Sequence, residues 1–413
     1  MKRLPLEDIK VLDFTWMIAG PHGTRMLADL GAQVIKIESK SKIDGTRRIV
    51  LREGNSDPTD EGGGEFQELN YNKIGLSLNL KSPKGKEILR KLVKVCDVVT
   101  ANFDPNGFNK LGLNWENLRV FNPEIIVISM PALGNWGTYS GYMAFGPNLA
   151  ALSGLTDILG YPGEEPVGPG VPYADYISGA TLAFSVLTSL EYRRRTGKGQ
   201  FVDISQFEVV LSTLGSSLMN WAANEKTAEK KGNSHPADIA SPHNCYKCKG
   251  TERYCVISVA SDKEWENFCN VLDNPSWTKE PIFATHLNRL KNQKEIDKLI
   301  ESWTENYTPE EITERMQHAG VSAGIVQNAE DLIKHDRHLR ERFLVDLKLP
   351  LRPNRKPPSI TLPGHIIKLM ESPTKEDHAA PARMGETNMV LLEKLIGMTQ
   401  DEYQQALAEK AFE

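Results

Sequence analysis

KVLDF, at residues 10–14, predicts a first buried strand, because it is a short apolar run of strand length. A helix is predicted over residues 21–30, since this segment starts with Pro21 and stops before Gly31. A second strand is predicted at residues 34–37. A strand, a helix and another strand thus follow one another directly, which is typical of a βαβ crossover unit.

The same alternation continues through the N-terminal half of the chain. A third strand is predicted at residues 76–80, and Ser82 with Pro83 supplies the cap and first position of the next helix. Further short strands are predicted at residues 98–99 and 125–128. The pattern predicts an α/β fold with a doubly wound parallel sheet, in which ligands bind at the carboxyl ends of the strands.

Changes of composition predict the domain boundaries. Two long helical patterns, at residues 178–195 and 208–224, precede a charged run that begins near Glu225. We therefore predict a large domain over residues 1–224 and a smaller α+β domain over residues 225–348. A proline-rich linker is predicted at residues 349–363, and an amphipathic helix at 388–410, so residues 349–413 are predicted to link back to the large domain.

Composition excludes several classes of protein. With 413 residues, of which 40% are hydrophobic and 25% charged, the chain has the balance of a soluble two-domain protein. Its net charge of -5 gives no electrostatic reason to expect nucleic acid or an anionic membrane as partner. The absence of a signal-like N-terminus, the shortness of the apolar run at 177–190 and the five cysteines favour a cytoplasmic protein with reduced thiols.

Two motifs suggest ligands but match their patterns poorly. The turn after the first strand contains only Gly20 and Gly23, so it lacks the glycine fingerprint of a dinucleotide site, although Glu38 resembles the ribose-binding acid. A second group has the short cysteine pair of a zinc site without the usual second half: His235, His243, Cys245 and Cys248. We therefore predict no permanently bound cofactor and no metal.

Asp175 is the residue on which the functional interpretation depends. It lies in Tyr173-Ala174-Asp175-Tyr176-Ile177-Ser178-Gly179, at the opening of an apolar helix, with no nearby carboxylate, histidine or cysteine in sequence. A carboxylate in this position is either a helix cap or a nucleophile kept ionised by the helix dipole. The residues alone leave both roles open.

Taken together, the sequence resembles the class III, formyl-CoA transferase-like, coenzyme A transferase family. Matching segments occur in family order along nearly the whole chain. They are residues 11–15, 19–21, 30–38, 72–73, 102–112, 122–123, 174–175, 196–200, 246–250, 324–326 and 380–386. The resemblance implies a Rossmann-like large domain, a smaller middle domain and two subunits threaded through each other as an interlocked dimer.

The resemblance also implies a reaction and its nucleophile. Asp175 would attack an acyl-CoA thioester to give a mixed anhydride, and the released thiolate would then form an aspartyl-CoA thioester that passes CoA to a carboxylic acid. Coenzyme A and acyl-CoA are thus substrates, and succinyl-CoA is the donor that we expect. By resemblance, the CoA-binding residues are Met17, Ile18, Ala19, Lys73, Asn102, Phe103, Lys110 and Leu111.

The acceptor acid is less defined. Trp16 and Tyr173 are predicted to lie near the site and would suit an aryl or bulky carboxylic acid, so a benzylsuccinate-type CoA-transferase subunit is the specific candidate. Core packing is the alternative role for both aromatic residues. The partner is predicted to be a second copy or a homologous subunit.

The sequence departs from the family pattern at several positions. Ala132-Leu133-Gly134 replaces a glycine-aromatic pair, Ser39 replaces a basic nucleotide contact for which Lys40 and Lys42 are possible substitutes, and Thr387 replaces a histidine. Residues 225–250 also lack the glycine-rich loop that closes over the site in some members. The sequence therefore does not explain how the anhydride would be shielded from water.

Two other functions remain open from the sequence. A 2-methylacyl-CoA racemase would pair Asp175 with a histidine that exchanges the α-proton, and His22 is the only histidine before Asp175. Its position in the first predicted helix makes it a poor partner. A non-catalytic subunit of a heteromeric CoA-transferase is the other alternative, against which the presence of Asp175 argues.

Overall fold

The computed structural model describes residues 3–49, 63–349, 359–372 and 377–413. Its six-stranded sheet is formed by strands from the first half of the chain, which are β1 (Lys10–Asp13), β2 (Gln33–Glu38), β3 (Ile74–Ser77), β4 (Val98–Ala101), β5 (Ile126–Ser129) and β6 (Phe201–Asp203). The strands are all parallel and their order is β3-β2-β1-β4-β5-β6. This is the strand order of the Rossmann fold, so the predicted α/β class with a parallel sheet is confirmed.

Helices follow most of these strands. They are α1 (Ala19–Asp29), α2 (Gly64–Asn70), α3 (Pro83–Val93), α4 (Pro105–Lys110), α5 (Trp115–Leu118), α6 (Gly146–Leu152), α7 (Leu155–Ile158), α8 (Tyr173–Thr196), α9 (Gln206–Ser212) and α10 (Gly215–Asn224). Helix α1 begins two residues before Pro21, so the proline occupies the third helical position and not the predicted first one.

Successive strand residues pack on opposite faces of the sheet. Val11 and Val34 contribute to a buried cluster with residues of α1 and α8. Their neighbours Leu12 and Ile35 contribute to a second cluster with residues of α3. Because side chains alternate across a strand, apolar residues at both positions bury both faces of the sheet. The sheet is thus doubly wound, as the apolar strand pattern predicted.

The second half of the chain forms shorter elements. They are β7 (His243–Lys247), β8 (Tyr254–Ser258), α11 (Asp262–Val271), α12 (His286–Lys291), α13 (Gln293–Thr304), α14 (Pro309–His318), β9 (Ser322–Ile325), α15 (Arg337–Arg342), β10 (Leu344–Lys348), β11 (Ser359–Pro363), α16 (Asn388–Ile396) and α17 (Gln400–Ala408). Strands β7, β8 and β9 form an antiparallel sheet whose buried residues pack with those of α11, α13 and α14.

The chain divides into two compact units. One contains residues 1–156, 168–226 and 340–413, and the other contains residues 157–167 and 227–339. The first unit holds the six-stranded sheet and the second holds the β7-β8-β9 sheet. The domain boundaries at residues 224 and 348 stay a prediction.

Three local expectations were wrong. The helix predicted over residues 208–224 is two helices, α9 and α10, because the chain turns between Ser212 and Gly215. The tail helix predicted over 388–410 is also divided, since Gly397 adopts a left-handed conformation that ends α16. Of the linker predicted at 349–363, the last five residues form β11 against β10, and residues 350–358 lie outside the described residues.

Candidate active site

The turn from β1 into α1 lies at the carboxyl edge of the parallel sheet. Met17, within this turn, has a φ of 61°, which a residue with a side chain adopts only when its surroundings enforce it. The backbone N–H of Trp16 donates to Asn102 Oδ1 and the Asn102 amide donates to the Trp16 carbonyl, both at 2.9 Å. Asn102 follows β4, so the neighbouring strand holds the turn from one side.

Lys36 in β2 and Asp44 in the segment after it hold the turn from the other side. Asp44 Oδ1 accepts a hydrogen bond from the Met17 N–H at 3.1 Å. Lys36 donates both to the carbonyl of Thr15 and, at 2.7 Å, to Asp44 Oδ2. Thr15, Trp16 and Met17 are therefore all fixed through main-chain atoms, which stabilises the unusual conformation of Met17.

Buried ion pairs lie beneath this turn. Lys36 pairs with Asp44 at 2.7 Å, Arg47 with Glu38 at 2.8 Å, and Lys73 with Asp13 at 3.1 Å. Burial would raise the pKa of Asp13, but the charges of Lys73 and Lys36 outweigh it and hold that pKa below its usual value. Removing one partner of such a pair typically costs about 3–5 kcal/mol, because it leaves a buried charge uncompensated.

Lys73 is one of the predicted CoA ligands, and its contacts favour a structural role instead. Its Nζ donates to Asp13 Oδ2, to the Pro21 carbonyl and to Asn70 Oδ1, at 3.1, 2.9 and 2.9 Å. The side chain is buried, and an ammonium has only three hydrogens to donate. In this structure the ammonium of Lys73 is therefore unavailable to a phosphate.

Two glycines allow helices α1 and α8 to cross in backbone contact. A Cβ on Gly23 would overlap the carbonyl oxygen of Gly179, and a Cβ on Gly179 would lie 2.5 Å from the carbonyl oxygen of Ala19. Larger residues at either position would push the helices apart. This close crossing brings the N-terminus of α1 to the first turn of α8, where Asp175 lies.

Asp175 is half-buried and lies in the first turn of α8. Pro172 occupies the N-cap position, and its side chain makes no capping hydrogen bond. The Asp175 carboxylate accepts hydrogen bonds from its own backbone N–H and from that of Ala19, the first residue of α1. On its other side a Cβ on Gly146, the first residue of α6, would overlap Asp175 Oδ2. The carboxylate therefore interacts with the first turns of two helices, α8 and α1, which is more than a cap of its own helix requires.

Opposing effects set the protonation of Asp175. Burial raises its pKa to about 6, and the charge of Glu65 acts in the same direction, whereas the backbone N–H groups of Asp175 and Ala19 favour the ionised form. The N-termini of two helices also favour negative charge at this point. Most of the carboxylate is thus ionised at neutral pH, in an environment that solvates it less than water does, which suits a nucleophile.

His22 lies near Asp175 but has the surroundings of a core residue. Its ring contacts Tyr176 edge-on, with ring centroids 4.8 Å apart, and its Nδ1 is buried without a hydrogen-bond partner in the described chain. Burial, with the charges of Arg25 and Lys73, lowers the pKa of His22 to about 4. The imidazole is therefore neutral at physiological pH and packs from α1 against α8.

The remaining predicted residues differ in their surroundings. Trp16 and Phe103 lie together, with ring centroids 6.4 Å apart, and Lys42 Nζ lies 4.5 Å from the centroid of the Trp16 ring. By contrast, Leu111 packs against the core below the sheet edge, and Lys110 is exposed in the last turn of α4. Ile18 precedes α1 as its N-cap, and Tyr173 is half-buried as the first residue of α8.

Sequence reasoning missed several residues that shape this site. They are Asp44, which fixes Met17, Gly23 and Gly179 at the helix crossing, Gly146 beside the carboxylate, and Glu65, which raises the pKa of Asp175. Only the two helix glycines carried a signal, since glycine within an apolar helical pattern often marks a close approach of backbones.

The described residues contain neither a metal-ligand cluster nor a helix able to cross a membrane. Among the described residues no group of three or more histidine, cysteine or acidic side chains could hold a metal ion. His235 and His243 do contact each other, with ring centroids 5.2 Å apart. None of the helices in the described ranges is sufficiently long and apolar to cross a membrane.

Comparison with known proteins gives consistent results. The model of CoA-transferase family III matches residues 6–388. A probable CoA-transferase of Mycobacterium tuberculosis is 31% identical over 98% of the chain, which spans 50% of that relative's length. Succinyl-CoA–D-citramalate CoA-transferase of Chloroflexus aurantiacus is 29% identical over 96% of each chain. A solved CAIB/BAIF family protein of Brucella suis has a TM-score of 0.85 and 26% identity, over 95% of this chain and 99% of that one.

Proposed function

Because the chain belongs to CoA-transferase family III, we propose that it moves CoA from an acyl-CoA to a free carboxylic acid, with Asp175 as the nucleophile. The observation that supports this role is the placement of the Asp175 carboxylate. It is half-buried, it accepts hydrogen bonds from backbone N–H groups at the starts of α8 and α1, and Gly146 lies so close that a Cβ there would overlap Oδ2. These are the surroundings of a reacting group more than of a structural one.

The first half of the reaction transfers the acyl group to the enzyme. A carboxylate oxygen of Asp175 attacks the thioester carbonyl carbon, the carbon–sulfur bond breaks, and CoA leaves as a thiolate. The thiolate then attacks the carboxyl carbon of Asp175 in the resulting mixed anhydride. This step releases the donor acid and leaves CoA attached to Asp175 as a thioester.

The second half repeats these steps with the acceptor. The acceptor carboxylate attacks the aspartyl thioester and displaces the thiolate, which then attacks the acceptor carbonyl of the new anhydride. The product is the acceptor's CoA thioester, and Asp175 returns as a carboxylate. The N–H of Ala19, already bonded to this carboxylate, is placed to stabilise negative charge on its oxygens.

Binding of CoA would involve the turn and the exposed residues beside it. The main chain of Met17, Ile18 and Ala19 forms the edge of the site, and Trp16 with Phe103 adds an aromatic surface. Lys42 and Lys110 are exposed cations suited to phosphate groups, whereas Lys73 is buried and fully bonded.

The substrates are proposed from the relatives and from the aromatic residues. The Chloroflexus relative is named for succinyl-CoA and D-citramalate, which supports a succinyl-CoA donor and a small carboxylic acid acceptor. Trp16 and Tyr173 are both half-buried near the two helix N-termini, so an aryl-substituted acid such as benzylsuccinate stays the specific acceptor candidate.

Trapping with hydroxylamine tests the covalent route. We expect incubation with succinyl-CoA and hydroxylamine to convert Asp175 to the hydroxamate, since hydroxylamine attacks both the anhydride and the thioester of the aspartyl carboxyl. Peptide mass spectrometry locates the modification, and the same incubation without acyl-CoA is the control. Absence of the hydroxamate under conditions in which CoA is transferred would count decisively against a covalent aspartyl intermediate.

The pH dependence of transfer follows from the pKa of Asp175. Since the nucleophile is the ionised carboxylate and its pKa is about 6, we expect kcat/KM to increase with pH through that value and then to level off. Initial rates at saturating acceptor and low donor concentration measure it. A profile that stays flat through pH 6, with protein folded throughout, contradicts the assignment.

A second copy of the chain is the partner that we propose. None of the residues of α10, a helix that the structure describes throughout, is buried, and it exposes Leu218, Met219 and Trp221. Phe184 and Leu187 are likewise exposed on α8. An apolar area of this kind usually marks an interface. Sedimentation velocity should give the mass of two chains, and a single-chain mass at micromolar concentration would contradict the proposal.

A further inference from the structure

Residues 136–145, the aromatic segment, expose large apolar side chains next to the site. Trp136, Tyr139, Tyr142, Met143 and Phe145 all belong to it, and their exposed fractions range from 62% for Tyr139 to 83% for Met143. Such a concentration of exposed apolar residues in a short stretch is unusual for a surface that contacts only water.

The two ends of the aromatic segment are firmly attached. Before it, Asn135 donates to Asp203 from its backbone N–H at 3.1 Å and from its amide at 2.6 Å, which fixes the chain at the ends of β5 and β6. After it comes Gly146, whose Cα faces Asp175 Oδ2 so closely that a Cβ would overlap this oxygen. The residue that directly follows the segment therefore contacts the carboxylate of Asp175.

Hydrogen bonds within the aromatic segment are local. Tyr142 donates from its N–H to the Tyr139 carbonyl at 2.9 Å, and the rings of these residues lie 5.8 Å apart. Ala144 is the member that packs on the buried cluster around Ala174, beside Asp175. The segment is thus a compact turn structure, attached beside the nucleophile, with its large side chains on the surface.

The chemistry of the proposed reaction calls for a cover at this place. Water that attacks the acyl carbonyl of the mixed anhydride gives the free acid and restores Asp175, while CoA leaves as the thiol. The net reaction is then hydrolysis of the acyl-CoA, and no CoA reaches the acceptor. Excluding water from the intermediate prevents this loss.

We infer that the aromatic segment packs its apolar side chains over the acyl group carried by Asp175 and thereby keeps water from it. This inference rests on the proposed function. It adds residues that determine what fraction of the intermediate is hydrolysed and what fraction transfers CoA to the acceptor. The apolar contact also favours acyl groups with an apolar portion, since each buried methylene stabilises the complex.

The partition between hydrolysis and transfer tests the inference. The variant combines Trp136→Ser with Met143→Ser, because both side chains are more than four-fifths exposed and their loss leaves the core intact. Met370→Ser is the matched control, since Met370 is 89% exposed and belongs to the same unit. The substrate is the acyl-CoA that labels Asp175 in the trapping experiment, supplied with the isotopically labelled free acid of the same acyl group.

Two rates are measured for each protein. Incorporation of label into acyl-CoA reports transfer without knowledge of the natural acceptor, and thiol release without added acid reports hydrolysis. We expect the ratio of hydrolysis to transfer to rise at least tenfold in the double variant and to stay unchanged in the Met370→Ser control.

Each other outcome would overturn the inference. If transfer falls in the double variant but the ratio of hydrolysis to transfer does not rise, the segment does not shield the intermediate. If the ratio is unchanged and sedimentation velocity shows loss of the dimer, the segment is an interface between copies. If no acyl-CoA labels Asp175 in the wild type, the proposed function and this inference are both wrong. If the wild type is labelled but the double variant shows no increase in the ratio of hydrolysis to transfer, only this inference is wrong.

Discussion

Replacing Asp175 with asparagine is expected to lower the rate of CoA transfer by about four orders of magnitude or more, as loss of a covalent nucleophile commonly does. Asparagine has nearly the same shape and can still accept the hydrogen bond from the Ala19 N–H. Its amide, however, cannot form the anhydride or the aspartyl thioester. Isotope exchange between acyl-CoA and its free acid measures the loss.

The stability of the Asp175→Asn variant provides an independent check on the surroundings of this carboxylate. Its pKa in the folded protein is about 6, against 3.8 for an ordinary aspartate, so the folded state binds the proton more tightly than the unfolded state. Ionisation therefore costs stability as pH rises from about 4 through 6. We expect the variant to melt higher than the wild type above that range and at the same temperature below it.

Asp401→Asn is the matched control for both measurements. Asp401 lies in the first turn of α17, as Asp175 lies in the first turn of α8, but it is exposed. We expect this substitution to leave transfer unchanged. If Asp175→Asn retained most of the activity, the carboxylate would not be the nucleophile.

Replacing Gly146 with alanine is expected to reduce kcat/KM about a hundredfold while the protein stays folded. The added methyl would overlap Asp175 Oδ2, so the carboxylate has to rotate or α6 has to move. A displacement of about 1 Å at a reacting group can cost two orders of magnitude in rate. Transfer kinetics and thermal melting, compared between the variant and the wild type, separate lost activity from lost structure.

Gly168→Ala is the control for this substitution. Gly168 is exposed, its backbone is not left-handed, and an added Cβ would meet no atom of the described chain within 4 Å. We expect the control to behave as the wild type. Equal activity of the Gly146→Ala variant would mean that Asp175 is free to adopt another position, contrary to its tight packing here.

Local sequence patterns were sufficient to predict the main features of the fold. The apolar strands at residues 10–14 and 34–37 and the helix between them follow from periodicity and from the glycine at position 31, which are properties of adjacent residues. The boundaries were less accurate, because tertiary contacts extend or shorten an element. Helix α1 begins at Ala19, before the proline, since its first turn contributes to the site.

The site could be predicted only in part, because its contacts join distant residues. Asn102 and Trp16 are 86 positions apart in sequence. Nothing at either position shows that the Asn102 amide bonds to the turn and not to a ligand. The burial of Lys73 has the same origin, since a lysine before a strand is usually exposed and only the assembled sheet edge provides its three acceptors. Asp175 could be identified because its position at a helix start is a local signal.

The way in which the turn after β1 is fixed has a consequence for the evolution of substrate range. Its hydrogen bonds to Asn102, Asp44 and Lys36 all involve main-chain atoms, so they do not depend on which side chains Trp16 and Ile18 carry. Mutation can therefore diversify these two positions while the scaffold stays constant, and libraries randomised there should yield mostly folded proteins with altered acid preference.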